Sequence, residues 1–168
     1  MMERRVTRDF QDAVRRMLEA HHTVTLATTG EDGPWAATVF FASDADLNLY
    51  FVSDHRTRHG RHLAASPEAA AAINPDCSAW GEVRGLQLTG RVQVLNGLAR
   101  VAGLRHYLAK FHDVRALFET PRNPDEATIA ERLKAAQLYR LEPRWIRLID
   151  NRRGFGYKEE CVLAATDD

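Results

Sequence analysis

The chain has 168 residues, 45% hydrophobic and 27% charged, which suits one globular domain with a single core. Lysine plus arginine equals aspartate plus glutamate, 23 of each, so no overall field would attract nucleic acid or an anionic membrane. Cys77 and Cys161 lack the spacing of a zinc site and the density of a disulfide scaffold. No apolar run reaches membrane-spanning length, and Met1 to Arg8 is too charged for a signal peptide. We therefore expect a soluble, cytoplasmic protein with neither nucleic-acid nor membrane partners.

The first predicted element is an amphipathic helix over residues 6–20. Its apolar residues recur at steps of three and four: Val6, Phe10, Val14, Met17 and Leu18. Thr7 is predicted to cap its N-terminus, and His21 and His22 to cap its C-terminus.

Three strands are predicted next. They span Thr23 to Thr29, Trp35 to Ala42 and Leu47 to Ser53, and are rich in β-branched and aromatic residues. Turn-forming residues at Gly30 to Pro34 and at Ser43 to Asp46 separate them. Such short polar connections are typical of an antiparallel meander.

A short helix from Arg58 to Ser66 is predicted to end before Pro67. A short strand follows at Ala69 to Ile73, and then a longer one at Glu82 to Leu95. The alternation in the longer strand is predicted to put four apolar residues on one face: Leu86, Leu88, Val92 and Val94. Gly90 in its centre indicates a bulge or a barrel corner.

Two further helices are predicted at Leu98 to Phe111 and Asp125 to Ala136, before a last strand at Tyr139 to Ile149. The apolar face of the first of these is predicted to run through Val101, Leu104, Leu108 and Phe111. Pro143 indicates an edge or a bulge in the last strand, and the chain is predicted to end in a frayed polar tail. About six mostly antiparallel strands with inserted helices indicate a small β-barrel in a single domain, 1–168.

One polar segment, Ser53 to His62, has the chemistry to bind an anion. The Arg58 guanidinium can bond two oxygens of a phosphate, while the Thr57 hydroxyl and main-chain N–H groups at a helix start add donors. The alternative is a solvated loop in a protein that is already rich in arginine.

Three histidines in the same segment, His55, His59 and His62, are spaced i, i+4, i+7. They would align on one face, and could bind a metal or haem, if the helix began at His55. No carboxylate or cysteine pattern accompanies them, and the helix is predicted to begin after His55. We therefore interpret them as polar residues of a helix face and predict no metal site.

Several fragments, in this order, resemble the FMN-binding split-barrel family of the pyridoxamine 5'-phosphate oxidase type. They are Leu26-Ala27-Thr28-Thr29, Gly33-Pro34, Leu49-Tyr50-Phe51-Val52-Ser53, Arg56-Thr57-Arg58, Leu63, Ser66-Pro67 and Gly90-x-Val92. The later Asp150-Asn151-x-x-Gly154-Phe155-Gly156 resembles a small branch of that family. The resemblance implies a mainly β fold with helices (α+β), a six-stranded antiparallel Greek-key split barrel. It also implies a homodimer that binds FMN at the subunit interface and acts on a small-molecule substrate.

The resemblance assigns several residues to the FMN site. Thr57 and Arg58 fall on the family's phosphate-binding pair, and His59 falls where a lysine is common. Ser53 would face the ribityl chain or the phosphate. Main-chain groups of the second strand would lie along the isoalloxazine edge: Ala37, Thr38, Val39 and Phe40.

Three more side chains are candidates for the same site. Trp80 and Trp145, the latter from the second subunit, can stack on a flavin or instead fill core or interface area. Gln87 can hydrogen-bond to the ring or instead face outward from the barrel, and Arg84 lies on the same strand. The substrate-binding residues of vitamin B6 oxidases have no match, so no catalytic residue is assigned. The resulting prediction is a flavin-dependent oxidoreductase of unknown substrate. The alternative is a non-catalytic protein of this fold that binds or senses flavin or haem.

Overall fold

The computed structural model describes residues 7–163, with the side chain of Phe118 excepted. Its first element, α1, spans Arg8–Ala20, and the Thr7 hydroxyl caps it by accepting a hydrogen bond from Phe10 N at 3.2 Å. His21 Nδ1 donates to the carbonyl of Met17 at 2.8 Å, which confirms its role at the helix end. The predicted helix residue Val6 lies outside the described residues. The buried face is the predicted one: Phe10, Val14, Met17 and Leu18.

Within the described residues, seven strands form one antiparallel sheet. They are β1 Thr23–Gly30, β2 Gly33–Ser43, β3 Leu49–Ser53, β4 Glu68–Ile73, β5 Arg84–Val94, β6 Gln137–Asp150 and β7 Lys158–Val162. Their order is β3-β2-β1-β4-β5-β6-β7, and an additional pairing of β3 with β6 closes the first six strands into a barrel. The predicted six-stranded antiparallel barrel with helices, of α+β split-barrel type, is therefore confirmed.

The seventh strand corrects the prediction that the strand at Tyr139 to Ile149 is the last regular element. The polar chain end that was predicted to be frayed lies outside the described residues. β7 pairs with β6 from Ile149↔Lys158 to Trp145↔Val162. Of its five residues only Cys161 is buried, so the alternation of apolar and polar residues in this segment is too weak to predict a strand. The free edge of β6, the strand that precedes it in the chain, provides the pairing.

Side chains of the barrel strands alternate between the core and the surface, as the sequence predicts. Along β1, Val24, Leu26 and Thr28 point into the core, and the residues between them are exposed. β1 and β2 form a tight hairpin in which Gly30 pairs with Gly33. Gly33 has φ of +90°, a conformation that glycine adopts without strain.

The predicted bulge at Gly90 is confirmed. The register between β5 and β6 shifts between Thr89 and Gly90, and Gly90 lies opposite Pro143. A Cβ atom at Gly90 would lie 2.1 Å from the carbonyl oxygen of Glu142, so the close approach requires glycine. Val94 was predicted to share the buried face, but it is 40% exposed at the end of β5. Leu95 is buried instead, in a small cluster with Tyr50 and Leu138.

The remaining helices lie between the strands: α2 Arg58–Ala65, α3 Gly97–Lys110, α4 His112–Glu119 and α5 Pro124–Ala135. Residues Trp80–Glu82 and Asn151–Arg153 form short 3₁₀ turns. The sequence prediction missed α4, because Phe111 both ends α3 and begins α4 without a side-chain cap to mark the boundary.

The packed face of α3 also differs from the predicted one. Val101 is 53% exposed, whereas Gly103 and Tyr107 are buried. The reason is a close approach to β3, since a Cβ atom at Gly103 would lie 2.8 Å from the ring of Tyr50. Within residues 7–163, no helix has the length and apolar character needed to cross a membrane.

Candidate functional site

The barrel wall is open beside one part of β2. β1 pairs with β2 from Gly33 to Phe40, whereas β3 pairs with it only from Phe41 to Ser43. No strand of the described chain therefore covers the other side of β2 between Gly33 and Phe40. Unpaired main-chain groups at such an edge are available to a ligand.

The direction of these main-chain groups follows from the pairing. Phe41 N donates to the carbonyl of His22 at 3.0 Å, on the β1 side of β2. Because antiparallel strands alternate, the groups of Ala37 and Val39 also face β1, and those of Thr38 and Phe40 face the open edge. Of the four main-chain candidates, Thr38 and Phe40 thus present an N–H and a C=O to a molecule outside the barrel.

The segment from Ser53 to α2 lies at the end of β3 and is held by a helix cap. The Thr57 hydroxyl accepts a hydrogen bond from Gly60 N at 3.1 Å and donates to the carbonyl of Asp54 at 2.7 Å. A Cβ atom at Gly60 would lie 2.7 Å from the carbonyl oxygen of His55, so glycine is needed for this packing. The predicted phosphate ligand Thr57 is therefore engaged within the chain, while α2 begins at Arg58 as predicted.

Arg58 lies against the β1–β2 hairpin. Its Nε atom is 2.8 Å from Asp32 Oδ2, and its Nη2 atom donates to the main-chain carbonyl of Asp32. The guanidinium carbon is 4.6 Å from the ring centroid of Trp35, a cation–π distance. Nε is buried against this carboxylate without a well-aligned hydrogen bond. Nη1 makes no hydrogen bond within the described residues, so the guanidinium retains that donor beside the open edge of β2.

A network that sequence reasoning missed holds this hairpin against α2. His62 is 4% exposed, with Nε2 at 2.5 Å from Asp32 Oδ1 and Nδ1 at 3.1 Å from Thr28 Oγ1. Gly30 makes room for the imidazole, since a Cβ atom there would lie 2.4 Å from the ring. The hydrogen bond with His62 is the main cause that lowers the pKa of Asp32, and the charge of Arg58 acts in the same direction. The one local signal was that His62 follows Arg58 by four residues, on the same face of a helix.

The interpretation of the histidines as polar helix-face residues was wrong for two of them. His59 and His62 are buried, and His59 Nε2 is 2.7 Å from Ser53 Oγ. Burial lowers the pKa of His59, and the charge of nearby His62 adds to the effect. His59 is therefore a neutral partner of Ser53. His55 precedes α2 and lies exposed beside Asp54, so the three histidines do not share a helix face.

Gln87 and Trp145 lie on the outer face of the barrel. Gln87 Oε1 accepts a hydrogen bond from Arg147 Nη1 at 3.3 Å, and the Arg147 guanidinium lies 4.9 Å from the ring centroid of Trp145. Successive cross-strand partners extend from Trp145 across four neighbouring strands, β5, β4, β1 and β2. All four partners are small: Thr89, Ala70, Ala27 and Ala36. A shallow cavity of about 380 Å³ lies on this face, lined by Ala27, Thr28, Thr29, Glu68, Ala69, Ala70 and Thr89.

Trp80 belongs to a different region of the molecule. It is 70% exposed and packs edge-on against Phe155, with ring centroids 5.5 Å apart. Asn151 Nδ2 donates to its main-chain carbonyl at 2.7 Å. These contacts tie Trp80 to the turn after β6 and not to α2. Among the described residues, no group of three or more metal-ligating side chains is present.

Comparisons with known proteins agree with this architecture. A UPF0306 protein of Klebsiella pneumoniae (strain 342) is 27% identical over 147 residues, 87% of this chain and 88% of the relative. A solved heme-binding protein from Mycobacterium smegmatis has a TM-score of 0.68 at 20% identity, covering 94% of this chain and 60% of that one. A solved Clostridium acetobutylicum protein related to general stress protein 26, of the pyridoxinephosphate oxidase family, has a TM-score of 0.66 at 13% identity. That match covers 94% of this chain and 97% of the other.

At these low identities the solved structures establish the fold alone. The sequence profile is more specific, because the profile of pyridoxamine 5'-phosphate oxidase matches residues 10–150, from α1 to the last residue of β6. The chain therefore belongs to the pyridoxamine 5'-phosphate oxidase family.

Proposed function

We propose that this protein binds FMN at the open edge of β2 and acts as a flavin-dependent oxidoreductase on a small-molecule substrate. The main support for the proposal is that two features suited to FMN lie beside the β1–β2 hairpin. Unpaired main-chain groups of β2 lie on one side, and the N-terminus of α2 with Arg58 lies against the same hairpin.

The phosphate end of FMN fits the start of α2. The first main-chain N–H groups of a helix have no partner inside it, and at the start of α2 the Thr57 cap satisfies only that of Gly60. The positive end of the helix dipole and the Arg58 guanidinium favour a dianion there. The Nη1 atom of Arg58, which makes no hydrogen bond within the described residues, supplies a donor for a phosphate oxygen.

The ring end fits the edge of β2. The isoalloxazine carries both hydrogen-bond donors and acceptors along its pyrimidine edge, and Thr38 and Phe40 present main-chain groups of both kinds. FMN, when bound, would supply the redox chemistry, while the protein binds and orients it. No nucleophilic side chain is needed for that role.

A second copy of the chain is the proposed cover for the outer face of the barrel. Ala27, Ala36 and Ala70 make this face flat and weakly polar, which suits close contact between two sheets. A symmetric dimer would cover this face in both copies at once. In such a dimer Gln87 and Trp145, at the margin of the face, are our candidates for reaching the partner's flavin.

The competing candidate is a non-catalytic protein that binds flavin or haem. The heme-binding protein from Mycobacterium smegmatis has the same fold, and the fold alone does not select the cofactor. Loading the protein with FMN or with haem separates the two cofactors by their visible spectra. Oxidation of a reduced nicotinamide by the FMN-loaded protein separates catalysis from storage.

The decisive experiment compares FMN with riboflavin, which lacks the phosphate. The purified protein is titrated with each flavin, alongside Arg58→Gln and the control Arg105→Gln, an exposed arginine on α3. We expect Arg58→Gln to weaken FMN binding by about tenfold or more without changing riboflavin binding, since one charge-assisted contact is removed. Equal losses for both flavins would contradict the phosphate contact. A protein that retains no flavin, or that takes up haem in preference, would overturn the proposal.

A further inference from the structure

A second cavity, remote in sequence from the proposed flavin site, lies between α1 and the ends of β5 and β6. Its volume is about 380 Å³, and its lining residues are Ala13, Arg16, Met17, Ala20, His21, Arg84, Leu148, Asp150, Arg152 and Arg153. Four arginines and one carboxylate thus surround one cavity in a protein of zero net charge. We propose that this cavity binds a phosphate monoester with a small apolar group.

The charges in the cavity do not cancel. Asp150 is buried and holds Arg152 through two parallel hydrogen bonds, each 2.8 Å long. Arg152 lowers the pKa of Asp150, which keeps this carboxylate ionised and matched to Arg152. The guanidinium groups of Arg16 and Arg84 have no ion-pair or hydrogen-bond partner among the residues the structure describes. Within residues 7–163 the cavity therefore presents two uncompensated guanidinium groups, which suit a dianion.

The position of Arg84 follows from the strand that carries it. Arg84 shares the inward-facing positions of β5 with Leu86 and Leu88, but it lies at the end of the strand. The core is closed there by α1, so an inward-facing charged side chain meets the cavity under the helix. Gln87 has the opposite parity and lies on the outer face, so Arg84 and Gln87 of the same strand face different sites.

The turn after β6 fixes the other two arginines. Asn151 donates through its main-chain N–H to the carbonyl of Val83 at 2.9 Å, and its Oδ1 accepts from Gly156 N at 3.0 Å. Gly154 and Gly156 have φ of +142° and +75°, values that favour glycine. These contacts give a structural reason for the Asp150-Asn151-x-x-Gly154-Phe155-Gly156 motif, which the flavin site leaves unexplained. The motif is a preformed turn that carries Arg152 and Arg153 at the cavity.

The lining also defines the rest of the ligand. Met17 and Leu148 provide an apolar wall, and Ala13 and Ala20 leave space on the α1 side. The arginine forks recognise phosphate oxygens, and a cation would be repelled. A cavity of about 380 Å³ exceeds what a bare phosphate ion fills, so an attached aryl or alkyl group has room against the apolar wall.

Phenyl phosphate is a suitable probe, measured by isothermal titration calorimetry on the full chain saturated with FMN. We expect one saturable site per chain, with binding tighter than that of inorganic phosphate and weaker at high salt. Arg16→Gln and Arg84→Gln should each weaken binding about tenfold or more, since each removes a charge-assisted contact. Arg105→Gln, which changes an exposed arginine outside both sites, should leave it unchanged.

Each outcome decides the proposal. Arg16 is exposed, so Arg16→Gln should fold normally even if Arg84→Gln does not. Wild-type affinity in Arg16→Gln would overturn the proposal, as would the absence of binding at millimolar phenyl phosphate. The two proposals can fail separately. The flavin proposal is tested by FMN binding to Arg58→Gln, whereas the cavity proposal is tested by phenyl phosphate binding to Arg16→Gln and Arg84→Gln.

Discussion

Asp32 Oδ1 lies 2.5 Å from Nε2 of the buried His62, and the other oxygen of the same carboxylate lies 2.8 Å from Nε of Arg58. One exposed acidic residue at a hairpin turn therefore holds two basic residues of α2. It also lies where an anion bound by Arg58 would come close. Asp32 thus both positions the guanidinium and competes for it.

Replacing Asp32 tests this competition. Asp32→Asn removes the negative charge that an FMN phosphate would meet, so FMN affinity should rise about fivefold at low salt, the size of one surface charge interaction. Riboflavin affinity should not change. Fluorescence titration of both flavins measures the effect, with the exposed neighbour Glu31→Gln as the control. A fall in FMN affinity would mean that Asp32 acts through the placement of Arg58 rather than through competition.

The buried His59 predicts a pH dependence of stability. Its pKa in the folded chain is lowered from 6.5, mainly by burial. The unfolded chain therefore binds more protons at this residue below pH 6.5, and the free energy of unfolding should fall as the pH drops below that value. Urea unfolding at pH 7.5, 6.5 and 5.5 measures the slope.

His59→Gln removes the titrating group, so this variant should lose part of that slope. His55→Gln changes an exposed histidine outside α2 and should keep the wild-type slope. Identical slopes in all three proteins would show that His59 does not titrate as its burial implies.

The outer face of the barrel predicts the oligomeric state. Ala70 lies at the centre of this face and packs no core, so Ala70→Arg should leave the barrel folded and convert a dimer into a monomer. Sedimentation velocity at micromolar concentration measures the change, with Ala99→Arg on the exposed side of α3 as the control. A monomeric wild type would end the proposal of a site shared between subunits.

Replacing Gly90 is expected to lower the free energy of unfolding. A methyl group at this position would lie 2.1 Å from the carbonyl oxygen of Glu142, and the main chain must move to accept it. Gly90→Ala should cost about 1–3 kcal/mol, or prevent folding altogether, as overpacking against main chain does. Gly81→Ala is the matched control, because nothing lies within 4 Å of a Cβ atom there. Urea unfolding of both variants distinguishes the bulge from a general effect of glycine replacement.

Local patterns were sufficient for much of the fold. The Thr7 cap, the β1–β2 hairpin and the start of α2 each depend on residues within a few positions of one another. Turn chemistry, side-chain period and capping act at that range, so the sequence predicts them. The proposal that Arg58 binds phosphate is also based on a local pattern, since Arg58 is the first residue of a predicted helix.

The partners of those residues depend on contacts that are distant along the chain. Asp32 lies against His62 of another element, and Arg16 and Arg84 line one cavity only because α1 covers that end of the barrel. No local sequence pattern predicts such pairs, because each of these polar residues could equally be exposed to solvent. By itself the sequence determined the barrel and the positions of its turns. The tertiary structure decided which charges are matched and which remain available to a ligand, because chain closure brings remote side chains within hydrogen-bond distance.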